Sequence, residues 1–432
     1  RMKLSKVEIL KISLLTFSLF FGAGNLMFPP MLGKEAGTNL VFAMLYFSIT
    51  AIIFPILAII VVTKTNGLKN MANRVDKTFG MLFTIATALA IGPGLAVPRA
   101  GVLPYEIALS HHTGDMKWAL LLYTTIFFGI VCWFCLTPSK LLDRISKFLS
   151  PLFLFLIILL LFGTMFKGMT SYAQPLEKYV PLKGVQGFLD GYMTLDILAG
   201  LMYGLVISYV IKDKGITDEK EVIKSVSKTG IVAGIFLFIV YFIIAHIGGV
   251  SGVIYPDTKN GLEILRNMSL NIYGQFGFII LVMLFFIACL NIAVGVTTSI
   301  SQYFSQLFPK ISYKYWVIIW IILSWAIANN GLAQILSYSV PVLLCLYPVA
   351  VELIVLSILN DKIKNYKYVY SSTIYTTLFI SFVSTLDKSN IKIPMITDMI
   401  SKLPLYKLDL EWILVAIIVA LITIFINKIL KK

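Results

Sequence analysis

Ionisable side chains are scarce in the apolar stretches of this 432-residue chain, so each one poses a chemical question. Asp196 stands in DGYMTLDILAGLMYG (190–204), with Gly191, Gly200 and Gly204 around it. A carboxylate so placed can bind a cation, accept a proton, hold an ammonium group or pair with another side chain. Arg99 and Glu106 lie seven residues apart in IGPGLAVPRAGVLPYEIAL (91–109) and share a helical face. They are expected to pair with each other or with Asp196. Glu352 falls toward the end of another apolar run, where snorkelling or an ion pair would serve it. Thr297, Thr298, Ser299 and Ser301 crowd LNIAVGVTTSISQYF (290–304). A carbonyl at Val294 with hydroxyls at Thr297 and Thr298 makes an i, i+3, i+4 set of hard oxygens suited to Na⁺. The same hydroxyls can instead bond back to their own helix.

A second kind of chemistry comes from the backbone. FFGAGNLMFPP (20–30) interrupts an apolar helix with Gly22, Ala23, Gly24 and Asn25. Glycine costs about 1 kcal/mol in a helix interior, and a break in lipid frees N–H and C=O groups worth several kcal/mol each. An unwound stretch offers carbonyl oxygens to a cation, and the half-helix after it offers N-terminal amides to an anion. A zwitterionic amino acid travelling with Na⁺ satisfies both ends. Glycines also permit close helix packing, which is the alternative origin of the pattern.

The elements that position these groups are long and apolar. The chain is 58% hydrophobic and 13% charged, with a mean hydropathy of +0.89, outside the range of a soluble domain. Twelve runs have about the length of a bilayer crossing: 11–32, 40–63, 79–110, 118–136, 147–168, 190–211, 229–249, 277–305, 313–329, 333–358, 368–386 and 411–430. They do not alternate as β-barrel strands do. The fold class is an all-α polytopic membrane protein with one transmembrane domain. Interrupted runs at corresponding places, here the first and the sixth, are the mark of an inverted repeat with a site at the midplane. The halves would be 11–168 and 190–358, with two accessory helices at 368–430. No A-x-A site follows the first run, so it is expected to remain in the mature protein. The loop 250–276 reads as short amphipathic helices lying on the protein.

The net charge of +15 is a topology signal and not a nucleic-acid footprint. About 24 of the 36 Lys and Arg fall on the side of the two termini and about 11 on the other. That bias puts both termini in the cytoplasm. An enzyme finds little support, with three histidines (His111, His112, His246) and no paired acidic motif at a membrane edge. Cys132 and Cys135 form a lone C-x-x-C without a second pair, as expected of packing residues.

FFGAGNLMFPPMLGKEAG (20–37), IGPGLAVPRAGVLPYE (91–106), YMTLDILAGLMYG (192–204), LNIAVGVTTSISQYF (290–304) and NNGLAQILSYSVPVLLCLYPVAVELIVL (329–356) together resemble the bacterial branched-chain amino acid:cation symporters, the BrnQ or LIVCS family. The resemblance runs in order along nearly the whole chain. It implies twelve spans, a LeuT-type five-plus-five fold with spans one and six broken, and uptake of leucine, isoleucine and valine with Na⁺ or H⁺. The setting implied is the bacterial cytoplasmic membrane; a related carrier for another amino acid or a small cyclic amide is the alternative. By analogy with that fold, carbonyls near Ser18 and Phe21 would face oxygens of Val294, Thr297 and Thr298 around Na⁺. The substrate carboxylate would meet amides of Ala23, Gly24 and Asn25. Its ammonium would meet carbonyls at Gly22 and from Tyr192 through Thr194 to Asp196, with Val97 and Tyr203 against the aliphatic chain. Asn25 could instead ligate a second cation through its side-chain oxygen.

Overall fold

The computed structural model describes residues 4–114, 116–136 and 141–430, and these are mostly helical, with no strand among them. The first apolar run opens with α1 (Lys6–Phe20). A capping box closes its start: Ser5 Oγ accepts from the Glu8 N–H at 3.2 Å, and the Glu8 carboxylate accepts from the Ser5 N–H at 2.8 Å. The helix ends at Phe20. Phe21 (φ −79°, ψ 102°) and Gly22 (φ −130°, ψ −165°) are extended, and α2 (Ala23–Ala36) starts anew. Gly37, at φ 49°, ends α2 in a conformation that a Cβ would oppose.

The chain continues through α3 (Leu40–Ser48), a π-helical turn at Ile49–Ile53 and α4 (Phe54–Lys64) to the short α5 (Leu68–Ala72). The third run is α6 (Lys77–Leu89) and α7 (Ala96–Ala108), joined across Ala90–Gly94. Pro93 brings no N–H there, Gly92 leaves helical geometry, and the Leu95 N–H reaches back five residues to the Ala90 carbonyl at 2.9 Å. After α8 (Ser110–Thr113), α9 (Lys117–Leu136) and α10 (Leu141–Phe166) comes the sixth run. It comprises α11 (Gln186–Asp190), a 3₁₀ turn at Gly191–Thr194 and α12 (Asp196–Lys212), whose axis is bent by 48° from the segment before it. Leu195, at φ 70° and ψ 8°, makes the corner.

Next are α13 (Glu219–Ile254) and α14 (Gly261–Leu307), the latter interrupted at Gly274 with φ 61°. Of the short helices expected across the loop 250–276, the segment 261–273 is one, while 250–254 is the end of α13. The remainder is α15 (Tyr313–Ala328), α16 (Leu332–Ile358), α17 (Asn360–Ile363), α18 (Val369–Lys388), α19 (Ile396–Ile400) and α20 (Glu411–Leu430). Among the described residues, eight helical stretches are long and apolar enough to cross a membrane, or nine with the bent sixth run. This is fewer than the twelve apolar runs. Helix α1 is 15 residues and α15 is 16, while Gly24–Lys64 joins two runs across the turn at Gly37–Asn39.

The two most extensive helix contacts are α2 on α13 and α12 on α4. In lipid no apolar solvation drives helices together, so tight packing must, and glycine supplies it here. A Cβ on Gly33 would lie 1.8 Å from the Ala245 carbonyl oxygen, and one on Gly248 would lie 1.9 Å from that of Pro30. Gly200 and Gly204 do the same for α12 against Pro55 and Val62 of α4. These two glycines, which the sequence places beside the sixth-run break, serve packing. At the periphery, α18 packs on α16 and α20, and α20 shows Leu421, Phe425 and Ile429 outward, as a lipid-facing helix does.

Candidate functional site

The two interruptions meet. Asn25, fully buried, uses every polar atom of its side chain. Its Oδ1 accepts from the Gly22 N–H at 2.9 Å, capping the start of α2. Its Nδ2 donates to Asp196 Oδ2 at 2.7 Å and to the Tyr241 hydroxyl of α13. Tyr241 in turn donates to the same Asp196 oxygen at 3.0 Å. One amide therefore ties the first break to the second, across 171 residues of sequence. Asp196 is the first residue of α12, where a carboxylate complements the helix dipole, and the Thr194 hydroxyl accepts from its N–H at 3.4 Å.

Arg99 of α7 sits between the breaks at 2% exposure. Its Nη1 donates to the Met193 carbonyl at 2.9 Å, and its guanidinium lies 5.4 Å from the Phe28 ring centre. A Cβ on Gly24 would fall 2.5 Å from Arg99 Nη2, so the absent side chain makes room for the guanidinium. Gly22 likewise admits Ile292 of α14. Sequence offered Arg99 and Glu106 each other or Asp196 as partners. Among the described residues no ion pair joins any of the three, and of the two carboxylates it is Asp196 that lies within reach of the Arg99 charge. Seven residues share a face but are separated by about 10 Å along the axis, and Arg99 turns to the nearer carbonyl.

Around this centre several buried polar atoms meet no protein partner: Asp196 Oδ1, Arg99 Nε and the hydroxyls of Tyr192, Tyr203 and Tyr347. An unsatisfied buried group costs about 1–3 kcal/mol, and native structures hold few. Their concentration at the two breaks marks a place built to hold something polar. The Tyr192 and Tyr347 rings stand 4.5 Å apart, Tyr203 lies edge-on to Phe20 at 5.9 Å, and Val97 is fully buried. The Thr194 hydroxyl donates back to the Gly191 carbonyl at 2.9 Å. Ala23 opens α2, its side chain lying outside the described residues.

The candidate ion ligands are arranged differently. Ser18 Oγ donates to the Leu15 carbonyl at 2.9 Å within α1, and Phe21 holds the extended link. On α14, the Val294 carbonyl lies 3.8 Å and Thr298 Oγ1 3.7 Å from Cys135 Sγ of α9. Thr297 Oγ1 is buried without a partner. Gly295 is the α14 residue that abuts α1, since a Cβ there would lie 3.2 Å from Leu19 and 3.8 Å from the Tyr203 hydroxyl. Ser299, one turn on, donates to the Gly295 carbonyl at 2.9 Å. Ser299 also borders a cavity of about 230 Å³ that includes Asn66, Asn70, Thr84, Leu205 and Gln302 in its lining.

Sequence reasoning missed Tyr241 and Tyr347, and it placed the Met193 carbonyl among those expected to meet an ammonium without foreseeing that Arg99 holds it. Tyr347 falls inside a motif that carries the family resemblance, whereas Tyr241 is one aromatic among many in an apolar run and gives no local signal. Glu352, for which the sequence suggested snorkelling or an ion pair, forms no ion pair among the described residues. It is 5% exposed, and neither carboxylate oxygen has a partner.

Comparison with known proteins fits this geometry. The solved structures of Mhp1, a nucleobase-cation-symport-1 family transporter, and of MhsT in complex with L-phenylalanine share the fold, with TM-scores of 0.55 and 0.56. At 12% and 16% identity, they cover 96% and 98% of this chain, which in turn covers 91% and 99% of theirs. The branched-chain amino acid permease BrnQ of Bacillus subtilis (strain 168) is 36% identical over 422 residues, 96% of each chain. The branched-chain amino acid transport system 2 carrier protein of Pseudomonas aeruginosa is 33% identical over 426 residues, covering 98% of this chain and 97% of its own. The family model described as branched-chain amino acid transport protein matches residues 5–430. The chain therefore belongs to the branched-chain amino acid transport protein family, whose members are transporters and not enzymes.

Proposed function

We propose that the chain is a secondary active symporter that imports leucine, isoleucine and valine by alternating access, driven by Na⁺ or H⁺. The observation that carries this reading is the junction of the two helix breaks through Asn25 and Asp196, ringed by buried polar atoms without protein partners. Backbone amides at the start of α2 suit a carboxylate. Carbonyls before Leu195 and the free Asp196 oxygen suit an ammonium. The apolar surround, with Val97 among it, suits an aliphatic side chain. Arg99 holds the Met193 carbonyl and leaves its charge beside Gly24, where the carboxylate would lie.

The architecture proposed is twelve spans in a five-plus-five inverted repeat, with spans one and six discontinuous. Its support is the pairing of helices. Span one packs most extensively on span seven, and span six on span two, as a shift of five spans demands of two equivalent halves. The Lys and Arg excess on the terminal side orients both termini to the cytoplasm of a bacterial inner membrane. The cavity lined by Ser299 and by the loop at Asn66–Asn70 then lies toward the cytoplasmic side and is the proposed release path.

For the ion, the α1–α14 boundary is the proposed site, with Ser18, Phe21, Val294, Thr297 and Thr298 as donors. Coupling requires that ion and substrate each bind better when the other is bound, a reciprocal linkage. The test is uptake of labelled leucine into proteoliposomes under an imposed Na⁺ gradient or pH gradient, with competitors added. Leucine, isoleucine and valine should compete with one another and a hydantoin should not; the reverse order would make the chain a carrier of cyclic amides. Thr298→Ala should raise the Na⁺ needed for half-maximal uptake by roughly tenfold, the loss of one oxygen ligand at about 1.4 kcal/mol. An unchanged Na⁺ dependence would remove Thr298 from the site.

A further inference from the structure

Helix α18 is the least apolar of the candidate spans, and its hydroxyls are not scattered. Thr373, Thr377, Ser381 and Ser384 recur at i, i+4, i+8 and i+11, on one face of the helix, and all four are buried. At 1.5 Å per residue the row runs for about 16 Å. Near its upper end Ser384 Oγ donates to Glu411 at the head of α20, a carboxylate 2% exposed whose other oxygen has no partner. Lower on the row stands Glu352 of α16, with both oxygens bare. Thr377 is the hydroxyl of the row that faces it. Ser381 Oγ is partnerless as well.

No countercharge reaches Glu352 among the described residues. Lys64 of α4 pairs with Asp361, and Arg99 of α7 bonds to Met193. Tyr370 and Tyr375 of α18 are bonded to Asn360 and Asp76. Asp196 of α12 is tied to Asn25, and Glu411 of α20 to Ser384. A charged carboxylate with no cation beside it is very costly at such a place. A single bound proton removes the charge, and a row of hydroxyls, each able to accept and donate, can deliver one.

We propose that Glu352 is a proton-binding site of this carrier, reached from the Lys388 end of α18 through Glu411, Ser384, Ser381 and Thr377. The site is separate from the helix breaks. Glu352 lies five residues from Tyr347 on α16, about 140° around the helix, so the two residues present different faces. Helix α16 nevertheless carries both, and a proton on one face can be felt by the tyrosine stacked on Tyr192 at the other. The coupling of this proton to transport rests on the symport reading above; the binding of the proton does not.

Two measurements separate these claims. Infrared difference spectra of the purified protein across a pH titration should show the C=O band of a protonated carboxyl, lost in Glu352→Gln and shifted in Glu352→Asp. In proteoliposomes holding a pH-sensitive dye, leucine entry should acidify the lumen. Glu352→Gln should cut that acidification by at least about tenfold, while leucine–leucine exchange persists. Ser381→Ala should slow it less, with the infrared band retained. A band unchanged in Glu352→Gln overturns the proposal. A wild type that moves leucine without protons, or a Glu352→Gln variant that moves both as before, overturns the coupling of this proton to transport, and the band alone then decides its binding. If Glu352→Gln does not fold, Glu352→Asp decides by whether its band shifts. If the wild type exchanges no leucine at all, the symport reading fails while the band still decides for Glu352.

Discussion

The two helix breaks reach the same end by different means. In the first, Phe21 and Gly22 adopt ordinary extended geometry, and the Asn25 side chain closes the new helix. In the second, a leucine at φ 70° takes the corner, a conformation that costs a non-glycine residue on the order of 1 kcal/mol or more. The glycines near it, Gly200 and Gly204, do not help the turn and instead admit α4. The first break is encoded where it occurs. The second is imposed by what surrounds it: the Asn25 and Tyr241 donors on Asp196 and the Arg99 clamp on Met193. A glycine in a membrane helix thus marks close approach first and a break only where a cap accompanies it.

The comparison can be broken most sharply at the point the two breaks share. Asp196→Asn replaces an oxygen that accepts two hydrogen bonds, each worth about 1.5–3 kcal/mol when charged. Leucine uptake should fall roughly 100-fold or more at equal membrane expression; uptake within a few-fold of wild type would reduce Asp196 to a structural role. A smaller effect separates the two kinds of glycine. Gly24→Ala pushes a methyl into Arg99 and should lower leucine uptake about tenfold with little change in melting temperature. Gly204→Ala meets Val62 and should cost about 1–3 kcal/mol of stability with leucine affinity kept. Equal effects on uptake from both would erase the distinction. The mildest prediction concerns the corner itself. Leu195→Ile puts a β-branched side chain in left-handed geometry and should lower thermal stability by roughly 1–2 kcal/mol, read by melting in detergent.

Much of this organisation is legible in the sequence because it is local. Apolar runs give helices, GAGN gives a break, and five ordered motifs point to the family that full-length relatives bear out. What could not be read depends on distant partners. Asn25 finds Tyr241 across 216 residues, and Arg99 finds Met193 across 94. Arg99 and Glu106 share a face but stand about 10 Å apart by helical rise alone, and Arg99 instead meets a carbonyl from another run, which no local spacing shows. The hydroxyl row of α18 escaped notice for a related reason: Ser and Thr are ordinary in helices, and only burial against Glu352 and Glu411 makes them unusual.

The contact between α2 and α13 constrains how this molecule can move. Where Gly33 meets Ala245 and Gly248 meets Pro30, not even a methyl group fits between the two backbones. Such a seam is bolted, and neither rod can slide past the other without the whole interlock lifting away. Helix α1 also packs along α13, with Phe17 edge-on to Phe236. Both halves of the first run are therefore fastened to the same helix, and the extended pair Phe21–Gly22 sets the angle between two pieces that travel with it.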